Sequence, residues 1–176
     1  MSQSPRLNSF RNWCQNTERD TLVMGILNVT PDSFSDGGEF YSQKQAIRHA
    51  TQLINNGVDI IDVGGESSRP GADEVSEKEE LNRTIPVIQK IRSISSDILI
   101  SIDTTKPRVA LEAIQSGADI INDISGLSFD PKMADIVKDL RVPVIIMHMQ
   151  GIPSNMQNKP TYNNLIEDIS SFFKSK

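Results

Sequence analysis

Five short apolar runs, each followed by a polar cluster and then a helical periodicity, set the rhythm of this chain. Residues 22–28 form the first run and predict a buried strand, which breaks at Thr30-Pro31 into a polar loop ending in glycine. Residues 42–56 then place Ala46, Ile47, Ala50, Leu53 and Ile54 on one helical face, with Gly57 as the stop. Residues 58–63 predict a second strand, broken by Gly64-Gly65, and residues 66–71 a loop. Ser76 predicts a helix cap, with Glu79 completing a capping box and Leu81, Ile85, Ile88 and Ile91 on the apolar stripe. Pro86 inside that stripe predicts a kink or a later start.

Residues 98–102 predict a third strand. Residues 105–116 predict a helix capped by Thr104 or Thr105, with Pro107 in its first turn and Gly117 as its stop. A fourth strand follows at 119–122, a helix at 131–140, a fifth strand at 142–147 and a last helix at 163–173. The hexapeptide GVDIID at 57–62 returns as GADIIN at 117–122, sixty positions later. Two strand–helix units of about thirty residues each fill that interval.

Strands alternating with helices imply parallel strands and crossover helices. An open doubly wound sheet carries a glycine-rich phosphate loop after its first strand, and NVTPDSF has none. A (β/α)8 TIM barrel places polar groups at the C-terminal ends of its strands. Here those ends carry Asn28, Asp62 with Glu66, Asp103, Asn122 with Asp123, and His148. The expected class is therefore α/β, a TIM-type barrel. It is expected to be incomplete, with about five of the eight units that such barrels need. Residues 1–20 read as an N-terminal extension of weak order, and 21–176 as the barrel domain, truncated at its C-terminal side. An unclosed barrel exposes two strand edges that invite pairing.

Composition narrows the function classes. The chain of 176 residues has 37% hydrophobic and 23% charged residues, as a soluble globular domain does. Its net charge is −5 with the acids scattered, which predicts no nucleic-acid partner. The apolar runs are far too short to span a membrane. One cysteine, Cys14, makes no internal disulfide and suits the reducing cytoplasm.

The candidate chemistry sits at the strand ends. Asn28 offers a neutral oxygen, either as an Asx-type cap or as one ligand of Mg²⁺ completed by water and phosphates. Asp62, inside an apolar run, needs a partner such as Arg69 or backbone donors, or else orients a site residue. Ser68 and Arg69 pair a hydroxyl with a guanidinium, which suits a diphosphate but also a solvated turn. Asp103 can cap the next helix, yet Thr104 and Thr105 free it to face the mouth. Asn122 both donates and accepts, and beside Asp103 it could read the edge of a flat heterocycle. Met147 could pack on a flat ring or fill the core. His148 and His49 lack metal-ligand spacing.

Taken together, MGILNVTPDSFSDGG, IIDVGGESSRPGA, SIDTTKP, IINDISG and IMHMQG resemble dihydropteroate synthase in order and spacing, over about residues 22–162. The resemblance implies a transferase of folate biosynthesis. Such an enzyme joins p-aminobenzoate to 6-hydroxymethyl-7,8-dihydropterin diphosphate, releasing 7,8-dihydropteroate and pyrophosphate. It implies Asn28 on Mg²⁺, and Ser68, where the family usually has threonine, on the diphosphate beside Arg69. It implies Asp103, Asn122 and Met147 around the pterin, Asp62 in support, and Pro31 and Phe34 in the p-aminobenzoate pocket. Asp103 and Arg69 are the expected catalytic groups, in the cytoplasm, with a homodimer admitted. The family also draws an aspartate, a lysine and an Arg-x-His pair from later strands, so little synthase activity is expected of these 176 residues alone. Three other readings compete: a non-enzymatic chain that binds pterin or diphosphate, a structural chain pairing through its open edges, and a methyltetrahydrofolate-dependent methyltransferase barrel. PDSFSDGG speaks against the last of these.

Overall fold

Five parallel strands pair in chain order: β1 (Met24–Asn28), β2 (Ile60–Gly64), β3 (Leu99–Asp103), β4 (Ile120–Asp123) and β5 (Val144–Ile146). They come from a computed structural model that describes residues 4–30, 38–67 and 74–176, without the side chains of 38–42. The helices are α1 (Pro5–Gln15), α2 (Gly38–Asn55), α3 (Glu77–Ile94), α4 (Pro107–Gln115), α5 (Lys132–Leu140) and α6 (Leu165–Lys174). Strand order that never reverses belongs to a barrel wall, not to a doubly wound sheet. The described residues form five βα units of a TIM-type barrel, which they leave incomplete.

Strand alternation divides the side chains between two faces. Leu27, Ile61, Val63, Ile100, Ile102 and Ile121 point outward, where they pack under α2 to α5 with Ala46, Ala50, Val87, Ile88, Val109 and Met133. Small alanines on α2 and α4 let those helices lie close to the sheet. The opposite, concave face is apolar at its base, where Ile60, Leu99 and Ile120 meet Phe10, with Trp13, Met24 and Ile145 around them. Higher on the same face Ile26 is 63% exposed, on a strand that pairs among the described residues with β2 alone.

The N-terminal stretch, expected to be a weakly ordered extension, instead carries α1. Ser4 caps that helix and Pro5 opens it. Its Phe10 and Trp13, stacked at 5.9 Å, close the base of the concave face. Charge fastens it too: Asp119 accepts from Arg6 Nε at 2.8 Å and from Arg92 Nη2 at 2.6 Å. Three smaller expectations are corrected. Of the kink or later start expected from Pro86, the later start is ruled out, because Pro86 lies within α3, which starts at Glu77. The capping box is half formed: Glu79 N–H donates to Ser76 Oγ, but the Glu79 carboxylate accepts from Arg83. Lys106, not a threonine, is the N-cap of α4, and Thr104 Oγ1 accepts its N–H.

Candidate active site

The C-terminal strand ends bring the predicted residues into one row. Asn28 pairs with Gly64, Gly64 with Asp103, and Asp103 with Asn122. Gly64 matters here because it has no side chain. A Cβ on it would lie 3.5 Å from Asn28 Oδ1 and 3.6 Å from Asp103 Oδ2. The glycine therefore leaves a notch between a carboxamide and a carboxylate.

One step deeper, Ile26, Asp62, Ser101 and Ile120 form the next row. Asn122 Nδ2 donates to Asp62 Oδ2 at 3.0 Å. This bond joins the last residues of the two echoed hexapeptides, so the sixty-residue repeat ends in a direct contact. Asp62 is thus held by Asn122 among the described residues. Among the described residues Asp62 Oδ1 and Ser101 Oγ are buried without a well-formed hydrogen bond, and poorly paired buried polar atoms of this kind cost stability. Both face the concave side, where a ligand with donor groups would satisfy the carboxylate.

The electrostatics follow from crowding. Burial pushes Asp103 up from 3.8 to about 7, and the charges of Asp62, Glu80, Asp123 and Glu66 add to the effect. At neutral pH Asp103 is therefore partly protonated and can donate as well as accept. Burial also raises Asp62, with neighbouring Ser101 and Asn122 pulling it partway back. Asp123, at the end of β4, does something else: its carboxylate accepts the N–H groups of Ser125 and Leu127 and shapes the following loop.

Beside this row stands an ionic cluster that the strand-end pattern only touched at Glu66. Lys106 Nζ binds Glu66 Oε2 and, at 2.6 Å, Glu80 Oε2. Glu80 is fully buried, and its Oε1 has no partner among the described residues. Glu66 Oε1 accepts Val75 N–H at 3.0 Å, and Arg83 Nη1 donates to Gly65 O at 2.9 Å. A cavity of about 460 Å³ opens here, lined by Glu66, Glu80, Asp103, Lys106, Phe129 and Ile152 among others. It shares Asp103 with the row above but is not lined by Asp62 or Asn122. The helical period could have revealed Glu80, which shares the buried stripe of α3 with Thr84, Val87, Ile88 and Ile91.

The other predicted residues divide in two. Met147 follows the end of β5, and its neighbour His148 packs edge-on against Phe172 at 4.9 Å. Pro31, Phe34, Ser68 and Arg69 lie outside the described residues. Among the described residues no group of three or more His, Cys, Asp or Glu side chains could hold a metal ion. No helix among them is long and apolar enough to cross a membrane.

With that geometry in place, residues 24–176 match the family model described as pterin binding enzyme. A dihydropteroate synthase of Synechocystis is 53% identical over 156 residues, covering 89% of this chain and 54% of the relative. The chain superposes on dihydropteroate synthase from Yersinia pestis, solved with a sulfonamide drug complex, at a TM-score of 0.79 and 48% identity. That match covers 88% of this chain and 55% of the other. The enzyme from Clostridium difficile, solved in the presence of pteroic acid, gives a TM-score of 0.80 at 47% identity, covering 88% and 56%. The chain spans about half the length of the curated relatives it matches.

Proposed function

Because the chain belongs to the pterin binding enzyme family, we propose that its strand ends form the pterin diphosphate site of a dihydropteroate synthase. One observation carries this reading: Asp62, Asp103 and Asn122 share the concave face at the strand ends, where Asn122 holds one Asp62 oxygen and the other, Oδ1, is buried with no well-formed hydrogen bond among the described residues. A dihydropterin brings ring and amino N–H donors along one flat edge, which such a row recognises. Asp62 and Asn122 hold that edge. Asp103 holds it too, and stabilises positive charge as it develops on the ring.

In the reaction the p-aminobenzoate nitrogen forms a bond to the pterin methylene carbon. The carbon–oxygen bond to the diphosphate breaks, pyrophosphate leaves with the electron pair, and the arylamine proton passes to solvent. The neutral arylamine is nucleophilic enough to need no strong base. Mg²⁺ would supply charge neutralisation on the leaving diphosphate. Asn28 fits such an ion, because its carboxamide is a hard oxygen donor at the mouth and Mg²⁺ keeps most of its shell as water and phosphate. Ser68 and Arg69 belong to the diphosphate end of the same reading, Pro31 and Phe34 to the arylamine end, and Met147 to the ring face. A cytoplasmic location and a homodimer go with it.

Calorimetric titration of the protein with 6-hydroxymethyl-7,8-dihydropterin diphosphate and Mg²⁺ tests the proposal. Binding that falls at least about tenfold in Asn122→Leu, the loss expected of one charge-assisted bond, supports it. Equal affinity in that variant, or no binding by the parent chain, overturns it.

A further inference from the structure

Lys106 joins three parts of the rim that are remote in sequence. Its ammonium meets Glu66 just after β2 and Glu80 in the first turn of α3, while its own backbone caps α4 three residues past Asp103. Each partner is tied onward. Glu66 uses its second oxygen to accept Val75 N–H, so a side chain at the start of the connection from β2 to α3 is bonded to the backbone at its end as well as to Lys106. Glu80 is fully buried, and its backbone carbonyl accepts the Thr84 hydroxyl at 2.8 Å. Gly65 lies so close that a Cβ there would come within 2.9 Å of Glu80 Cγ. Arg83 holds the Gly65 carbonyl from the same helix.

We propose that Lys106 is a positioning residue, which through Glu66 and Glu80 locks the ends of β2 and β3 and the start of α3 into one rigid rim around Asp103. The inference rests on the pterin diphosphate reading above for its functional consequence, and on geometry alone for its structural one. A buried carboxylate such as Glu80 is tolerated only with a partner in place. That makes the lysine hard to replace by a neutral side chain without moving Glu66 away from Val75. Two carboxylates shared by one ammonium also fix its direction more firmly than a single surface pair would.

Lys106→Met and Lys106→Arg, made in the full chain, separate the outcomes. Amide hydrogen exchange at Val75, which bonds Glu66 and not the lysine, should speed up at least tenfold in Lys106→Met and return to within threefold in Lys106→Arg. Exchange at Ile100, which donates to Asp119 at the far end of the barrel, should not change. Calorimetry with the pterin diphosphate and Mg²⁺ should show at least a tenfold weaker complex in Lys106→Met, recovered in the arginine variant. Unchanged Val75 exchange in Lys106→Met overturns the inference whatever the ligand does. So does unchanged affinity in a chain whose parent binds. If the parent does not bind, the pterin reading fails, and the Val75 result alone decides the role of Lys106. Equal acceleration at Val75 and Ile100 would mean general loosening and would also overturn it.

Discussion

Asp103→Asn should make the fold more stable at pH 8 while weakening the pterin complex. Asp103 titrates near 7 in the folded chain because burial disfavours its charged form and four neighbouring carboxylates repel it. In the unfolded chain it titrates near 3.8. Between those values the folded state holds a proton that the unfolded state has lost, so stability falls as pH rises. The contribution is complete below the unfolded value and gone above the folded one. At about 1.4 kcal/mol per pH unit, the wild type loses about 2 kcal/mol from this group between pH 5 and pH 7, and about 0.4 kcal/mol more by pH 8. That figure is a ceiling, because relaxation and water entry around a charged Asp103 would lower the cost of burying it. Asparagine keeps the shape and removes the charge, so its stability should not carry this slope. Urea unfolding of both proteins at pH 5 and pH 8 gives the double difference directly. A value near zero, or a variant that gains stability equally at both pH values, would refute the argument.

Two further predictions test the frame around the site. Asp119→Ala strips Arg6, Arg92 and the Ile100 N–H of a shared acceptor, and should cost about 3 kcal/mol in denaturant unfolding, the order expected when one side of a largely buried pair is removed. Gly64→Ala and Gly65→Ala should behave oppositely. The new methyl at Gly64 meets nothing closer than 3.5 Å, so unfolding should barely change while pterin diphosphate affinity drops as the notch fills. At Gly65 it would sit 2.8 Å from Thr84 Cγ2, so this variant should lose about 1–3 kcal/mol by overpacking.

The sequence yields the strands because each is a short run of branched apolar residues ended by a polar group, and burial on the helix face demands that pattern. It yields the strand-end row for the same reason: Asn28, Asp62, Asp103 and Asn122 interrupt runs that a merely structural strand would continue. The α1 plug was less legible. Leu7, Phe10 and Trp13 lie among six polar residues, Pro5 and Cys14 in an 11-residue helix, and two of those three contacts matter only once the barrel base exists to receive them. The ion cluster was hidden differently. Glu66, Glu80 and Lys106 belong to three separate segments, with spacings of 14 and 26 residues that carry no periodic signal. Tertiary packing alone brings them within reach of one another.

The charge pattern of the mouth also fixes which way round the proposed substrate must lie. Asp62, Asp103, Glu66 and Glu80 crowd the β2–β3 side, where Lys106 is already shared by two carboxylates. A diphosphate set against them would meet like charges, at about 4 kcal/mol for each pair at 4 Å near a protein surface. The donor edge of a dihydropterin meets the opposite situation there, because Asp62 Oδ1 has no well-formed hydrogen bond among the described residues and Asp103 near pH 7 both accepts and donates. Asn28 is neutral, sits across the Gly64 notch from Asp103, and keeps a carbonyl oxygen at the mouth. The phosphates therefore belong on the β1 side and the ring over β2 to β4. Introducing a carboxylate with Asn28→Asp should then do more harm without Mg²⁺ than with it. In calorimetry with the pterin diphosphate, the ratio of the affinities with and without Mg²⁺ should rise in the variant. An unchanged ratio would place the diphosphate elsewhere.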